Sequence, residues 1–222
     1  MTSTTTEPRA SLTVLGLLAN CELAAFSRLA ADAERAPEVP DRVDLARLGG
    51  AALARLERVE ARVEELGGRV APLVTPYLGV FGDFDERTPA STWWERLLKA
   101  YVGYGIEEDL LRVLARSTDP STRDLLEELL ADDRHASYVV RTITEAIATD
   151  QVLGSRLALW GRRLVGEALG VVQRALVDHP ELRELVEPAL PADATGDDLQ
   201  QRVFSVLTAA HTRRMGRLGL TA

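Results

Sequence analysis

Helical periodicity over long segments constrains this chain more than any other feature of its sequence. Between residues 41 and 66, apolar residues recur at spacings of three and four, which gathers them on one face of an α-helix. They are Leu45, Leu48, Ala52, Leu56, Val59, Val63 and Leu66. The Gly67-Gly68 pair that follows favours a helix end in the left-handed conformation. Similar stripes recur along the chain, so the sequence predicts an all-α protein built from amphipathic helices.

Composition supports this class and limits the partners. Aromatic residues are only 5% of the 222 residues, and 34 acidic against 26 basic side chains give a formal charge of −8. A net negative charge argues against broad attraction to nucleic acid or an anionic membrane. The single cysteine, Cys21, lies in an apolar helical segment and suits a reducing cytoplasm. The run from Leu12 to Phe26 is interrupted by Asn20 and Glu22, so we expect no membrane-spanning or targeting segment.

The periodic segments and their breakers define the expected order of elements. Residues 1–9 are predicted to be a disordered tail, and residues 10–219 a single helical domain. Five long helices are expected at 11–36, 41–66, 92–117, 119–150 and 150–178. A long connection over 67–91 should contain one short helix around 70–78, because prolines and glycines interrupt it. Further helical segments are predicted at 181–187 and 199–216.

A candidate metal-binding motif lies in the fourth predicted helix. The inner stripe of this helix contains Leu125, Leu129, Ala136, Val139, Ile143 and Ile147. Asp132 fills the gap in this series, and His135 follows one turn later on the same face. An acid-x-x-His pair that faces into a helix bundle is half of a carboxylate-bridged metal site. Carboxylates combined with imidazoles suit iron or manganese.

The other helices supply only part of the remaining ligands. Glu22 occupies an inner position of the first helix, and the corresponding positions of the second helix hold Ala52 and Arg55. The third helix offers Tyr104, with Glu108 or Asp109 about one turn later, and the fifth helix offers Glu167. Only three histidines are present, so a second inward histidine is missing from the core helices.

Three interpretations of these inner polar residues remain open, the third being that the assumed helical phase is wrong. In the first, Arg55 occupies the space of the missing ligands and forms a buried ion network with Glu22 and Asp132, because a guanidinium can satisfy two acids. In the second, a one-metal or altered two-metal site persists.

Four segments of the chain resemble one family of helical proteins. These segments are LLKAYVGYGIEEDLLRVLA, LADDRHASYVV, RLALWGRRLVGEAL and LTAAHTRRMGRLGL. They resemble the MiaE-like branch of the ferritin-like superfamily over about residues 11–219. The resemblance implies a ferritin-like four-helix bundle with a long crossover and additional C-terminal helices. It also implies similarity to a tRNA hydroxylase that uses a non-haem diiron site to insert oxygen into a modified adenosine.

The resemblance assigns ligand positions to individual residues. It maps metal ligands onto Glu22, Asp132 and His135. The second acid-x-x-His of the family falls on Ala52 and Arg55, and an expected acid of the third helix falls on Tyr104. The ligand set is therefore incomplete at these positions.

These observations lead to two functional expectations. The first is a ferritin-like protein with a degenerate metal site and no cofactor, which acts as a non-catalytic binding or interaction protein. The alternative is an oxygen-activating non-haem iron hydroxylase, acting on tRNA or a small molecule, in which Glu108, Asp109 or Glu167 replaces a missing ligand. Whether the chain is an enzyme stays open.

Partners are predicted from the resemblance and from the charges of the last helix. The resemblance implies a homodimer. Membrane binding is not expected, and nucleic acid is disfavoured by the net charge. Binding of tRNA would require a basic face on the last helix, formed by Arg202, Arg213, Arg214 and Arg217.

Overall fold

The computed structural model of the chain describes residues 6–222, with side chains from Pro8 onward, and all regular secondary structure in this part is helical. This confirms the predicted all-α class. The helices are α1 (Thr6–Arg35), α2 (Val39–Glu65), α3 (Val70–Val74), a 3₁₀ turn (Thr75–Tyr77), α4 (Gly82–Arg87), α5 (Trp93–Ala115), α6 (Pro120–Leu130), α7 (Arg134–Thr149), α8 (Gln151–Asp178), α9 (Pro180–Ala189) and α10 (Leu199–Arg217).

The described residues form two compact units. The first unit contains the chain up to Val80 together with Leu111–Ala131 and Leu176–Ala189. The second unit contains Phe81–Leu110, Asp132–Ala175 and Leu190–Ala222. Because each unit is assembled from three separate stretches, the chain order alone does not delimit either of them. The assignment of residues 10–219 to a single domain stays a prediction.

Helix α1 begins earlier than its sequence indicated. The predicted tail of residues 1–9 is wrong for residues 6–9, which are helical, and residues 1–5 lie outside the described part. Ser11, where the sequence placed the start of this helix, lies inside α1 and is fully buried. Its hydroxyl donates a hydrogen bond to Asp119, so its role is a tertiary contact.

By its length and composition alone, α1 could cross a membrane. This property applies to Pro8–Arg35, whose most apolar window has a mean hydropathy of 1.4 and is 67% buried inside the structure. Such burial is also found in the core helix of a soluble protein. The expectations of no membrane partner and of a cytoplasmic location stay predictions.

The fourth predicted helix is in fact two helices. Helix α6 ends at Leu130 and α7 begins at Arg134, so the expected continuous helix over residues 119–150 is wrong. The side chain of Asp132 explains the break, because its Oδ1 accepts a hydrogen bond of 3.2 Å from the backbone N–H of Arg134. Aspartate side chains that bond to nearby backbone groups compete with helix formation in this way.

The first half of the long connection after α2 has the structure that the sequence predicted. Gly67 adopts a positive φ of 75° just after the helix, as the glycine pair indicated. Helix α3 and the 3₁₀ turn occupy the place of the single short helix expected at residues 70–78, whereas α4 was not predicted. In the first unit, this connection lies directly on α1: a Cβ added at Gly16 would be 2.6 Å from the carbonyl oxygen of Leu73.

Candidate functional site

Glu22 and Arg55 form a bidentate ion pair between α1 and α2. Arg55 Nε donates to Glu22 Oε1 at 2.8 Å, and Arg55 Nη2 donates to Glu22 Oε2 at 2.9 Å. The side chains are 9% exposed for Glu22 and 22% exposed for Arg55. Parallel N–H···O bonds of this kind fix the geometry and neutralise the buried carboxylate. Both Glu22 oxygens are therefore already occupied by a cation.

The neighbouring residue on α2 adds no ligand. Ala52 is fully buried one turn before Arg55. Helical periodicity correctly placed both residues, and Glu22, towards the interior of the first unit. The predicted contact between Arg55 and Asp132 stays a prediction.

Asp132 is bound by the arginine two residues after it. Arg134 Nε and Nη2 donate to its two carboxylate oxygens at 2.8 Å and 2.6 Å. This hydrogen bonding raises the pKa of Arg134 above its ordinary value. Asp132 lies before α7, whereas His135 lies in its first turn, so the prediction that both side chains share one helix face is wrong.

His135 and Tyr104 are in contact within the second unit. Their ring centroids are 4.8 Å apart, and the planes meet at 61° in an edge arrangement. Tyr104 stands where the resemblance places a ligating acid. The structure thus brings two candidate residues together as an aromatic contact, of the kind that stabilises packed cores.

The three acids proposed as substitute ligands have different surroundings. Asp109 accepts a 2.5 Å hydrogen bond from Arg214, and both side chains are 12% exposed. Glu167 lies 3.8 Å from Arg87. Glu108 is partly buried. Two of the three acids therefore face a guanidinium.

The geometry of these residues bears directly on whether they could hold a two-metal centre. Among the side chains that the structure describes, no three of His, Cys, Asp and Glu lie together as a metal ion would require. Glu22, Asp132 and Asp109 are each engaged by an arginine. A guanidinium would repel a metal ion that approaches the same carboxylate. The residues present do not fit a carboxylate-bridged diiron centre.

Comparison with known proteins decides the family. A family model described as "Ferritin-like domain, actinomycetes" matches residues 7–189. The chain belongs to the ferritin-like family. The match confirms the ferritin-like fold that was expected from the sequence, and it spans α1 to α9. The search of curated proteins finds no significant match.

The last helix of this ferritin-like chain contributes an arginine that sequence reasoning misplaced. Arg214 Nη2 donates to the carbonyl oxygen of Gly105 at 2.9 Å as well as to Asp109. A Cβ at Gly105 would be 2.1 Å from Arg214 Nε, so the glycine is required for this contact. Arg214 is therefore not available to the predicted basic face of α10. Arg217, another member of that face, lies 4.0 Å from Asp133.

His211 is buried beside Arg214 and has a strongly lowered pKa. It is 1% exposed, and neither ring nitrogen has a hydrogen-bond partner among the described residues. Burial and the positive charge of Arg214 lower its pKa to about 4, although Asp109 acts in the opposite direction. The ring is therefore neutral at pH 7 in the folded protein.

The buried histidine should make the protein sensitive to mild acid. The unfolded chain binds a proton at His211 near pH 6.5, whereas the folded chain does so only near pH 4. Stability should fall as the pH falls through this window, by up to about 3 kcal/mol. Denaturant unfolding at pH 7, 5.5 and 4.5 measures the loss. The His211→Leu variant should lose less stability over the same range, and equal losses in the two proteins would contradict the prediction.

The first unit also contains a polar cluster around Asp119 that the sequence did not predict. Asp119 caps the N-terminus of α6 and accepts hydrogen bonds from Ser11 Oγ at 2.6 Å, Thr122 Oγ1 at 2.6 Å and Arg62 Nη2 at 2.9 Å. Burial alone would raise the pKa of Asp119, but these hydrogen bonds and the charge of Arg62 lower it to about 2. The sequence had indicated only the start of a helix at residue 119. The contacts of Asp119 with α1 and α2 join residues far apart in the chain, so they leave no local pattern in the sequence.

Proposed function

We propose that this protein is a ferritin-like chain whose metal site has been replaced by an Arg–Glu ion pair, and that it acts as a non-catalytic binding or interaction protein. The observation that carries the proposal is the bidentate pair of Arg55 and Glu22, because it uses both oxygens of the α1 acid that the sequence assigned as a metal ligand.

The substitution pattern supports this proposal. The positions that would supply an acid and a histidine from α2 hold a methyl group, at Ala52, and a permanent cation, at Arg55. Arginine stays protonated at any physiological pH, so it cannot become a ligand. We assign the chain to the MiaE-like branch on the resemblance of LADDRHASYVV and RLALWGRRLVGEAL, and we infer that its hydroxylase activity is lost.

Metal analysis tests the proposal. Protein produced with iron or manganese supplied should contain far less than one equivalent of either metal per chain after purification. The matched variant combines Ala52→Glu with Arg55→His, which restores an acid-x-x-His on α2. Circular dichroism reports whether this variant folds, and we expect it to retain more metal than the natural chain.

Two metals per natural chain would contradict the proposal. That result would favour the alternative, an oxygen-activating hydroxylase whose ligands include Glu108, Asp109 or Glu167. It would also require Arg55 to leave Glu22, which a structure of the metal-loaded protein would show directly.

A further inference from the structure

Helix α10 buries three nitrogen atoms that have no hydrogen-bond partner among the described residues. They are Nδ1 and Nε2 of His211 and Nη1 of Arg214. His211 is 1% exposed, and the side chain of Arg214 is 12% exposed. Buried polar atoms without a partner are rare in folded proteins, and each requires an explanation such as a bound ion. We call His211 and Arg214, together with Asp109 on α5, the α10 cluster.

The guanidinium of Arg214 is held in place by α5, within the second unit. Its Nη2 atom donates to the carbonyl oxygen of Gly105 at 2.9 Å and to Asp109 Oδ2 at 2.5 Å. The backbone of Arg214 is held as well, because Tyr101 Oη donates to its carbonyl oxygen at 3.1 Å. His211 lies three residues earlier on the same face of α10, and its ring is within reach of the Arg214 charge. The imidazole and Nη1 are therefore neighbours in one enclosed site.

The donors of the α10 cluster indicate the kind of ligand that would satisfy them. Arg214 Nη1 can only donate hydrogen bonds, and an imidazole ring can donate from either nitrogen. The missing partner must therefore contain acceptor atoms. A metal ion is disfavoured, because the positive guanidinium would repel it. The nearly complete burial of His211 restricts the ligand to one or a few heavy atoms.

The charges of the α10 cluster set the charge of that ligand. The charges that act on His211 are those of Arg214 on its own helix and Asp109 on α5. These two charges cancel while the ring is neutral, so an anion gains nothing from the net charge of the cluster. A proton on the ring would give the cluster one net positive charge, which is costly in a buried site unless a counter-charge accompanies it. A monovalent anion that binds together with a proton meets both conditions.

We propose that the α10 cluster binds a small monovalent anion, of the size of chloride or formate, and that His211 takes up one proton when the anion binds. One ring nitrogen and Arg214 Nη1 then donate to the same anion. The inference is independent of the metal-site proposal, since neither His211 nor Arg214 is a candidate metal ligand. Helix α10 also lies beyond residues 7–189, which match the ferritin-like family model.

Nuclear magnetic resonance of the full chain, with ¹⁵N in its three histidines, tests the site directly. At pH 6, sodium gluconate holds the ionic strength constant, because its anion is too large to be enclosed. Added chloride or formate should convert the His211 ring from the neutral to the imidazolium form in a saturable way. The partly exposed His179 is the internal control and should not follow this titration. A His211 ring that stays neutral up to about 0.5 M of both anions would overturn the proposal.

Thermal unfolding of matched variants separates the α10 cluster from general salt effects. An anion at about five times its dissociation constant should raise the unfolding midpoint of the natural protein by about 2–4 °C relative to gluconate. His211→Leu should lose this shift, and the control His179→Gln should keep it. In the natural protein, the affinity should rise by up to about tenfold for each unit as the pH falls from 7 to 5, because a proton binds with the anion. A shift of equal size in His211→Leu, or an affinity that does not change with pH, would contradict the proposal.

Discussion

Replacing Asp119 with alanine should destabilise the protein by about 3–5 kcal/mol, because it breaks a part-buried ion pair and removes a helix cap at the same time. Asp119 and Arg62 are 18% and 17% exposed, and their contact is 2.9 Å. Without the carboxylate, the Arg62 guanidinium loses one of its partners and keeps Glu65 and Thr122, while the fully buried Ser11 hydroxyl loses its acceptor.

Denaturant unfolding at pH 7 measures this loss. The matched control is Asp124→Ala, which removes an exposed acid from the same helix and should change the free energy of unfolding by no more than about 0.5 kcal/mol. Asp119→Asn should have an intermediate effect, since the amide can still cap the helix. A loss below about 1 kcal/mol for Asp119→Ala would show that the cluster contributes little.

The contribution of Asp119 also has a defined pH window. Its folded pKa of about 2 lies below the ordinary 3.8, so the stabilisation is fully present above pH 3.8 and is lost as the pH falls towards 2. The size of the effect is about 2 kcal/mol. This window lies below that of His211, so the two groups can be distinguished in one titration.

Replacing Arg55 with alanine should cost about 3–5 kcal/mol, because it leaves the buried Glu22 carboxylate without its bidentate donor. Arg55→Lys should recover only part of the loss, since an ammonium cannot reproduce the planar fork. The matched control is Arg58→Ala. Arg58 also forms a two-bond contact, with Glu128 at 2.7 Å, but its side chain is 45% exposed and that of Glu128 is 65% exposed. Exposed pairs contribute little, so this variant should lose much less stability.

A double-mutant cycle separates the interaction energy of the Glu22–Arg55 pair from the effects of the single substitutions. Glu22→Leu combined with Arg55→Leu should cost less than the sum of the single changes, because apolar residues of similar volume can replace a buried ion pair. A change within about 0.5 kcal/mol for Arg55→Ala would mean that this arginine behaves as a surface residue.

The sequence predicted the helical class, the ends of α2 and the inward direction of Glu22 and Arg55. Periodicity was sufficient there, because burial on one face of a long helix repeats every three to four residues. It failed at Asp132, where a local hydrogen bond to the backbone of Arg134 outweighs an apolar pattern that continues on both sides. It also failed at Arg214, whose inward turn depends on a glycine and an acid more than one hundred residues earlier. Contacts between residues so far apart in the chain leave no periodic pattern in the sequence.

The contact of Gly16 with Leu73 has a consequence for chain entropy. The connection that follows α2 packs against α1 within a few residues of Gly67. The backbone of Leu73 lies where a side chain at position 16 would be. The cost of closing a loop grows with the logarithm of its length, so an early anchor shortens the free segment and lowers the cost of ordering it. Closing this part of the crossover should therefore cost little conformational entropy, although the segment is rich in proline and glycine.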